Sequence, residues 1–434
     1  MNDHPVRLVL QDDLRRSRLT VFFRLLLAIP HLVWIFIWAI GVVFAVVAAW
    51  LAGIVVGRVP RGLHRFLAAY VRYLVHVTAY VSLTANPFPS FTGEPGYPVD
   101  VELPEPAQQR RWTIALRFLL ALPASLLAAV VGWGVYSGGG SATQGDGTAE
   151  GSFAFLPLGG TLAACAVLGW FAALGLGREP NGLRDLGAYG IGYGAQTWAY
   201  FLLLTDRYPR SSPDGIGPEW GLPEHEVSLA LNDDGRRSRL TVFFRFLLAI
   251  PHFVWLLGWS ILAFLAAIAN GLVALIRGRS ALPLHRFLGA YVRYSAHVTA
   301  FVCVVANPFP GFVGAPGYPV DIVIGAPERQ RRWITLLRTF LVVPALIVGG
   351  ALWGVLVVVG FLGWFVSLAL GRMPSGLRNL GAVAVRYLAQ TNAYWFVVTD
   401  AYPYASPALL PPPQPEPAPF PEPYHDGSDE PEAA

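Results

Sequence analysis

RRSRLTVFFRLLLAIPH at Arg15–His31 returns as RRSRLTVFFRFLLAIPH at Arg236–His252, 221 positions later. The same offset carries HRFLAAYVRY at His64 onto HRFLGAYVRY at His285, and ANPFP at Ala85 onto ANPFP at Ala306, so the chain is an internal duplication. Each half divides again. RRWTIALRFLLALP from Arg110 and RRWITLLRTFLVVP from Arg331 align with the first pair and bring Arg24, Arg117, Arg245 and Arg338 to one position. Four units follow, at 1–96, 97–209, 227–317 and 318–405, with a Gly- and Pro-marked linker at 210–226 and a tail at 406–434. A second landmark, G-R-x-P-x-G-L, stands at Gly57–Leu63, Gly177–Leu183 and Gly371–Leu377, and the third copy departs from it at Gly278–Leu284.

The chain has 434 residues, 54% apolar and 13% charged, more apolar than a soluble domain of this size allows. The formal charge of +4 rests on arginine alone, since lysine is absent, and the arginines gather at the edges of apolar runs. That pattern predicts membrane-edge charges and excludes a nucleic-acid surface. Cys165 and Cys303 lie in apolar stretches without paired spacing, so no disulfide framework or metal knuckle is expected. Asp3, Asp12 and Asp13 precede a first apolar run too long for a signal peptide, which predicts that the run is retained.

Each unit opens with an apolar run such as Leu25–Val56. A helix of about 32 residues would span roughly 48 Å against about 30 Å of hydrocarbon. Arg15, Arg16 and Arg18 stand before the run, and Arg58, Arg61 and Arg65 after it. If positive residues stay cytoplasmic, both ends lie inside and the run is a tight helical hairpin. In unit two the run is interrupted near its centre by SGGGSATQGDGTAEGS at 137–152, which suits an exposed hairpin tip. The following segment, Leu63–Ala85, carries Arg65, Arg72 and His76 on one face and predicts an amphipathic helix at the inner surface. The competing arrangement is an interfacial helix up to Pro30, one long tilted span, and Leu63–Ala85 as the return, at the cost of external arginines. Either way the expected fold is an all-α polytopic membrane protein with about eight spans. Short alternating stretches at Val6, Val99, Val227 and Val320 read as strands that could form one small sheet, or as extended linkers. The Pro-rich, acidic tail predicts disorder.

The main apolar runs hold no Asp or Glu, which argues against an ion-coupled pump and against intramembrane acid–base catalysis. HExxH, GxSxG and Walker motifs are absent, and GIGYG at Gly190 lacks the strand a dinucleotide site needs. His31, His64 and His76 recur as His252, His285 and His297, but units two and four carry Ala124, Arg184 and Gln196, and Ala345, Arg378 and Gln390. A polar stripe or interfacial histidines are therefore expected rather than a metal site. Arg24, Arg117, Arg245 and Arg338 enter the apolar run, where a guanidinium either anchors topology or holds a lipid phosphate. Arg72, Arg293 and Arg386 share a second position, replaced by Gly192 in unit two, and either form an inner polar ring or face solvent.

RLLLAIPH at Arg24, RFLLAIPH at Arg245, the G-R-x-P-x-G-L turn and the closing T-D-x-Y-P at Thr205 and Thr399 resemble the bacterial membrane family called domain of unknown function 4389. The arrangement is similar to its tandem, actinobacterial type, and units one and three depart from T-D-x-Y-P with ANPFP. The resemblance implies a helical fold in the plasma membrane and transfers no catalytic residue or cofactor. The expectation is a non-catalytic scaffold or modulator that contacts membrane lipids, anionic ones included, and recruits a protein partner through its cytoplasmic face or tail. The alternative is a facilitative transporter or channel built from parallel repeats.

Overall fold

The computed structural model describes residues 4–134, 160–213 and 225–408; the insertion at 137–152, most of the linker at 210–226 and nearly all of the tail at 406–434 lie outside them. The apolar run of unit one is one continuous helix, α1 (Arg18–Val56), of 39 residues with Pro30 inside it. Unit two holds α3 (Arg111–Ala115), α4 (Arg117–Val131) and α5 (Thr161–Leu176), unit three holds α7 (Arg239–Phe243) and α8 (Arg245–Arg277), and unit four holds α10 (Arg332–Leu341) and α11 (Val343–Leu370). The expected hairpin inside each run is thereby corrected. Leu32–Val56 contains no cluster of turn-forming residues, only the isolated Gly41 and Gly53, and an apolar stretch without a breaker satisfies its backbone most completely as an unbroken helix. Unit two keeps the same geometry, because the Gly160 N–H donates to Val130 O at 2.6 Å and the Leu162 N–H to Gly132 O at 3.0 Å, stitching α5 onto the end of α4.

Each long run ends in a glycine at positive φ: Gly57 (78°), Gly177 (69°), Gly278 (71°) and Gly371 (68°). Glycine occupies this left-handed position without a Cβ penalty, and the proline that follows three residues on in three of the units sets the entry of the next helix. The inner helices begin here: α2 (Arg61–Val81), α6 (Asn181–Phe201), α9 (Leu282–Val302) and α12 (Ser375–Trp395). On α2, Tyr70 and Tyr73 pack against Trp38 of α1, while the other face lies under a strand. The amphipathic pattern is present, but this is not a helix with a free polar face, since Leu67, Tyr73 and Tyr80 are fully buried and His76 is enclosed.

All four alternating stretches are strands. β1 (Arg7–Leu10) pairs antiparallel with β2 (Val99–Glu102), with Val9 opposite Asp100, and β3 (Val227–Leu231) pairs with β4 (Val320–Ile324), with Leu229 opposite Ile322. They form two separate ribbons rather than one sheet. The first ribbon lies over α2 and α6, the second over α9 and α12. Each half closes on itself through backbone bonds. The Gln109 N–H reaches Gly57 O at 2.8 Å from unit two to unit one, and the Arg16 N–H reaches Gly177 O at 3.0 Å the other way. The second half repeats this with Gln330 to Gly278 O at 2.8 Å and Arg237 to Gly371 O at 2.9 Å. The halves meet where α11 packs on α4 and α5, around Leu127, Val130, Tyr193, Val355 and Val359. Outward, α1 and α8 expose Leu25, Phe36, Phe44, Phe246, Leu257 and Ile276. Among the described residues three helices, α1, α8 and α11, are long and apolar enough to cross a membrane.

Candidate functional site

The four aligned arginines point inward. Arg24, Arg117, Arg245 and Arg338 are at most 2% exposed, and each caps the C-terminal end of its own unit's inner helix. Arg24 donates from Nη1 to Tyr80 O at 2.7 Å and to Ala85 O at 2.9 Å, and from Nη2 to Asn86 Oδ1 at 3.1 Å. Arg338 donates to Tyr394 O at 2.6 Å, Thr399 O at 2.9 Å, Gln330 Oε1 at 3.2 Å and Asp400 Oδ1 at 2.9 Å. Arg245 bonds Phe301 O and Ala306 O, and Arg117 bonds Thr205 O, Gln109 Oε1 and Asp206 Oδ1. The guanidinium planes lie 4.4, 4.1, 4.6 and 4.6 Å from the rings of Tyr80, Tyr200, Phe301 and Tyr394. The last carbonyls of a helix lack intrahelical partners and carry its negative end, so a cation with a rigid fork of donors fits there.

The bend beyond each inner helix explains why the cap is needed. Leu83, Leu203, Val304 and Val397 have φ between 61° and 69°, a left-handed conformation costing an L residue about 1–2 kcal/mol, and worse for the β-branched valines. Their carbonyls accept from a second aligned set eight residues before the arginines. Arg16 Nε donates to Leu83 O at 2.9 Å, Gln109 Nε2 to Leu203 O at 2.7 Å, Arg237 Nε to Val304 O at 3.1 Å and Gln330 Nε2 to Val397 O at 2.8 Å. This set carries no motif of its own in the sequence; its signal is the alignment, a donor at the same offset in every unit.

Arg72, Arg293 and Arg386 do not engage one common partner. Arg72 Nε stands 3.3 Å from Asp100 and Arg293 Nε 3.6 Å from Asp321, whereas Arg386 donates to Ser406 O and Ala408 O. Asp100 and Asp321 are the hubs that hold each ribbon on its inner helix. His76 Nε2 lies 2.9 Å from Asp100 Oδ1 and His297 Nε2 2.8 Å from Asp321 Oδ1, and each carboxylate also accepts two backbone N–H bonds. Units two and four substitute Gln196 and Gln390, whose Nε2 atoms donate to the strand carbonyls Val6 O and Val227 O at 3.3 and 2.9 Å. The histidine–glutamine alternation is thus two ways of holding a ribbon.

The other recurring histidines turn into the protein. His31 and His252 are fully buried, bond the hydroxyls of Tyr73 and Tyr294 at 2.6 and 2.7 Å, and lie among Phe88 and Phe91, or Phe309 and Phe312. His64 and His285 face the carbonyls of Leu204 and Gly325. Among the described residues no three His, Cys, Asp or Glu side chains come together in a group that could hold a metal.

Two buried acids of the first half have no acidic counterpart in the second: Glu179 aligns with Met373 and Asp185 with Asn379. Arg16 is shared between Asp12 at 2.7 Å and Glu179 at 3.0 Å, while Arg237 meets Asp233. Burial pushes Glu179 up to about 8, against the pull of Arg16, and its Oε1 has no hydrogen-bond partner among the described residues. A carboxyl raised in the folded state contributes stability while it keeps its proton, and that contribution is lost as pH rises from the ordinary glutamate value towards 8. Because Arg16 would keep Asp12, as Arg237 keeps Asp233, Glu179→Met is expected to raise the melting temperature in detergent at pH 8, and by less at pH 5. A loss of stability at pH 8 would mean that the Arg16–Glu179 pair holds the half together.

A family model described as Domain of unknown function (DUF4389) matches residues 18–92, 153–212, 239–313 and 332–406. No curated protein and no solved structure matches the chain. The matched segments begin at or close to the start of the long run in units one, three and four, and all four end just beyond the inner-helix cap, so the cap and its arginine belong to the repeated architecture. The chain therefore belongs to the DUF4389 family, as four tandem copies of its domain.

Proposed function

We propose that this protein is a non-catalytic scaffold or modulator of the bacterial plasma membrane, whose long helices are immersed in lipid and whose inner helices and ribbons lie at the cytoplasmic boundary. The observation that carries this reading is the division of side chains. The four aligned arginines are engaged in capping and His76, His297, Asp100 and Asp321 in ribbon contacts, while α1 and α8 offer lipid little but apolar side chains. Two-stranded ribbons have open backbone edges, which hydrocarbon does not tolerate, so the ribbon side belongs at an aqueous surface. Exposed Arg15 and Arg18 before α1, and Arg58, Arg61 and Arg65 after it, then lie on the cytoplasmic side at both ends, so that the unbroken α1 dips into that leaflet instead of crossing to the other side. A body immersed in this way organises lipid and leaves the ribbon face, and the tail beyond it, for a protein partner.

Single cysteines at Pro60 and Ser90, in a background lacking Cys165 and Cys303, are expected to resist an impermeant maleimide in intact cells and to label after permeabilisation. Labelling of Pro60 from outside would overturn the shared-side placement and make α1 a crossing with α2 as its return. Purified protein in liposomes is expected to alter lipid order without moving solutes. Solute flux that depended on Arg72 and Arg293 would replace the scaffold with a transporter.

A further inference from the structure

A cavity of about 670 Å³ opens between the halves. One wall is apolar, formed by Leu127 of α4 and by Phe361, Phe365 and Val366 of α11, and Phe361 and Phe365 are 54% and 52% exposed, so the cavity is continuous with the apolar outer surface. Its other end is the segment that follows the cap of unit two, where Arg207 and Arg210 line the rim beside His4 and Ser211. Both arginines are exposed, and among the described residues neither forms a salt bridge. This separates them from the four capping arginines, whose terminal Nη atoms are engaged by backbone carbonyls and side-chain oxygens. The pseudo-symmetric position in the second half carries Ala401 and Tyr404 where the first half has Arg207 and Arg210, although the flanking Asp-x-Tyr-Pro is the same in both. The fold does not require cations at these positions, because the second half closes without them.

We propose that this inter-half cavity binds one anionic phospholipid, with an acyl chain against α4 and α11 and the headgroup phosphate between Arg207 and Arg210. An apolar wall ending at two guanidinium groups that form no salt bridge among the described residues matches a molecule that carries a hydrocarbon chain and a phosphate, and guanidinium recognises phosphate through paired N–H donors. The inference rests on the membrane reading above and adds a stoichiometric, half-specific site to it.

Native mass spectrometry of the full chain, titrated with phosphatidylglycerol and separately with phosphatidylcholine, tests it. One phosphatidylglycerol is expected to bind in preference to phosphatidylcholine. The double variant Arg207→Gln/Arg210→Gln should lose that preference by roughly ten- to thirty-fold, from about 1 kcal/mol per arginine near a lipid surface, while keeping its melting temperature in zwitterionic detergent. Val366→Trp, which fills the apolar end and leaves both arginines, should also lose the bound lipid. Retained preference in the double variant overturns the site, as does unchanged binding in Val366→Trp, which would mean that the arginines only gather surface phosphate. Inorganic phosphate displacing the lipid at millimolar concentration would likewise assign the rim to free anions. Absence of that preference in the wild-type protein, still extracted only by detergent, would sink this site alone, whereas wild-type protein recovered in the soluble fraction would sink the membrane reading with it.

Discussion

Replacing Arg338 by methionine is expected to destabilise the protein by about 3–5 kcal/mol, the usual effect of removing one member of a buried charged network. Tyr394 O, Thr399 O and Gln330 Oε1 lose the guanidinium, and Asp400 keeps the looser contacts with Arg331, its backbone N–H at 3.4 Å and its exposed side chain at 3.6 Å. Arg338→Lys should restore only part of the loss, because one ammonium cannot reach both carbonyls and the Gln330 and Asp400 side chains as the guanidinium fork does. Arg331→Ala, at a side chain that is 81% exposed, should cost less than about 1 kcal/mol. Thermal unfolding and monodispersity in detergent check all three. A folded Arg338→Met protein that instead lost an interaction with anionic lipid would return these arginines to the lipid-phosphate role.

Asp321→Ala is the second large expected effect, on the order of 3 kcal/mol, because it leaves Arg293, His297 and the Gly317 and Ile322 N–H groups without their shared acceptor. Burial alone would raise the Asp321 carboxyl. The His297 bond and the two N–H bonds outweigh that and hold it below the usual aspartate value, as His76, Gly96 and Val101 do for Asp100. A carboxyl depressed in the folded state stabilises fully above its unfolded value and loses that contribution as pH falls through its folded value. Acid should therefore weaken the wild type below about pH 4. Asp321→Ala should flatten that limb, read as a smaller change of melting temperature between pH 5 and pH 3. The same acid sensitivity in the variant would mean that the ribbon is not held by this carboxylate.

The site was only partly legible before folding. Alignment placed Arg24, Arg117, Arg245 and Arg338 together and identified them as unusual, because an arginine inside an apolar run needs a partner. It left the direction of the side chain open, since snorkelling outward to phosphate and turning inward to a helix end satisfy the same guanidinium. The acceptors settle it: Tyr80 O and Ala85 O lie 56 and 61 residues from Arg24 and exist as a site only after α2 has folded back. The hairpin expectation went astray for a related reason. Charge flanks report on which side the ends lie, not on the path between them, and a run free of turn residues remains helical.

What the amino-acid sequence determined by itself is local or periodic. The four copies, the glycine turns that end each long helix, the alternating strands and the apolar surface all follow from neighbouring residues and from self-similarity. The tertiary structure alone decided the pairing of the strands into two ribbons, the closure of each half, the inward turn of the arginines and the cavity between halves. Each of these depends on groups far apart in the chain whose carbonyls, N–H bonds and charges acquire partners only when the units pack.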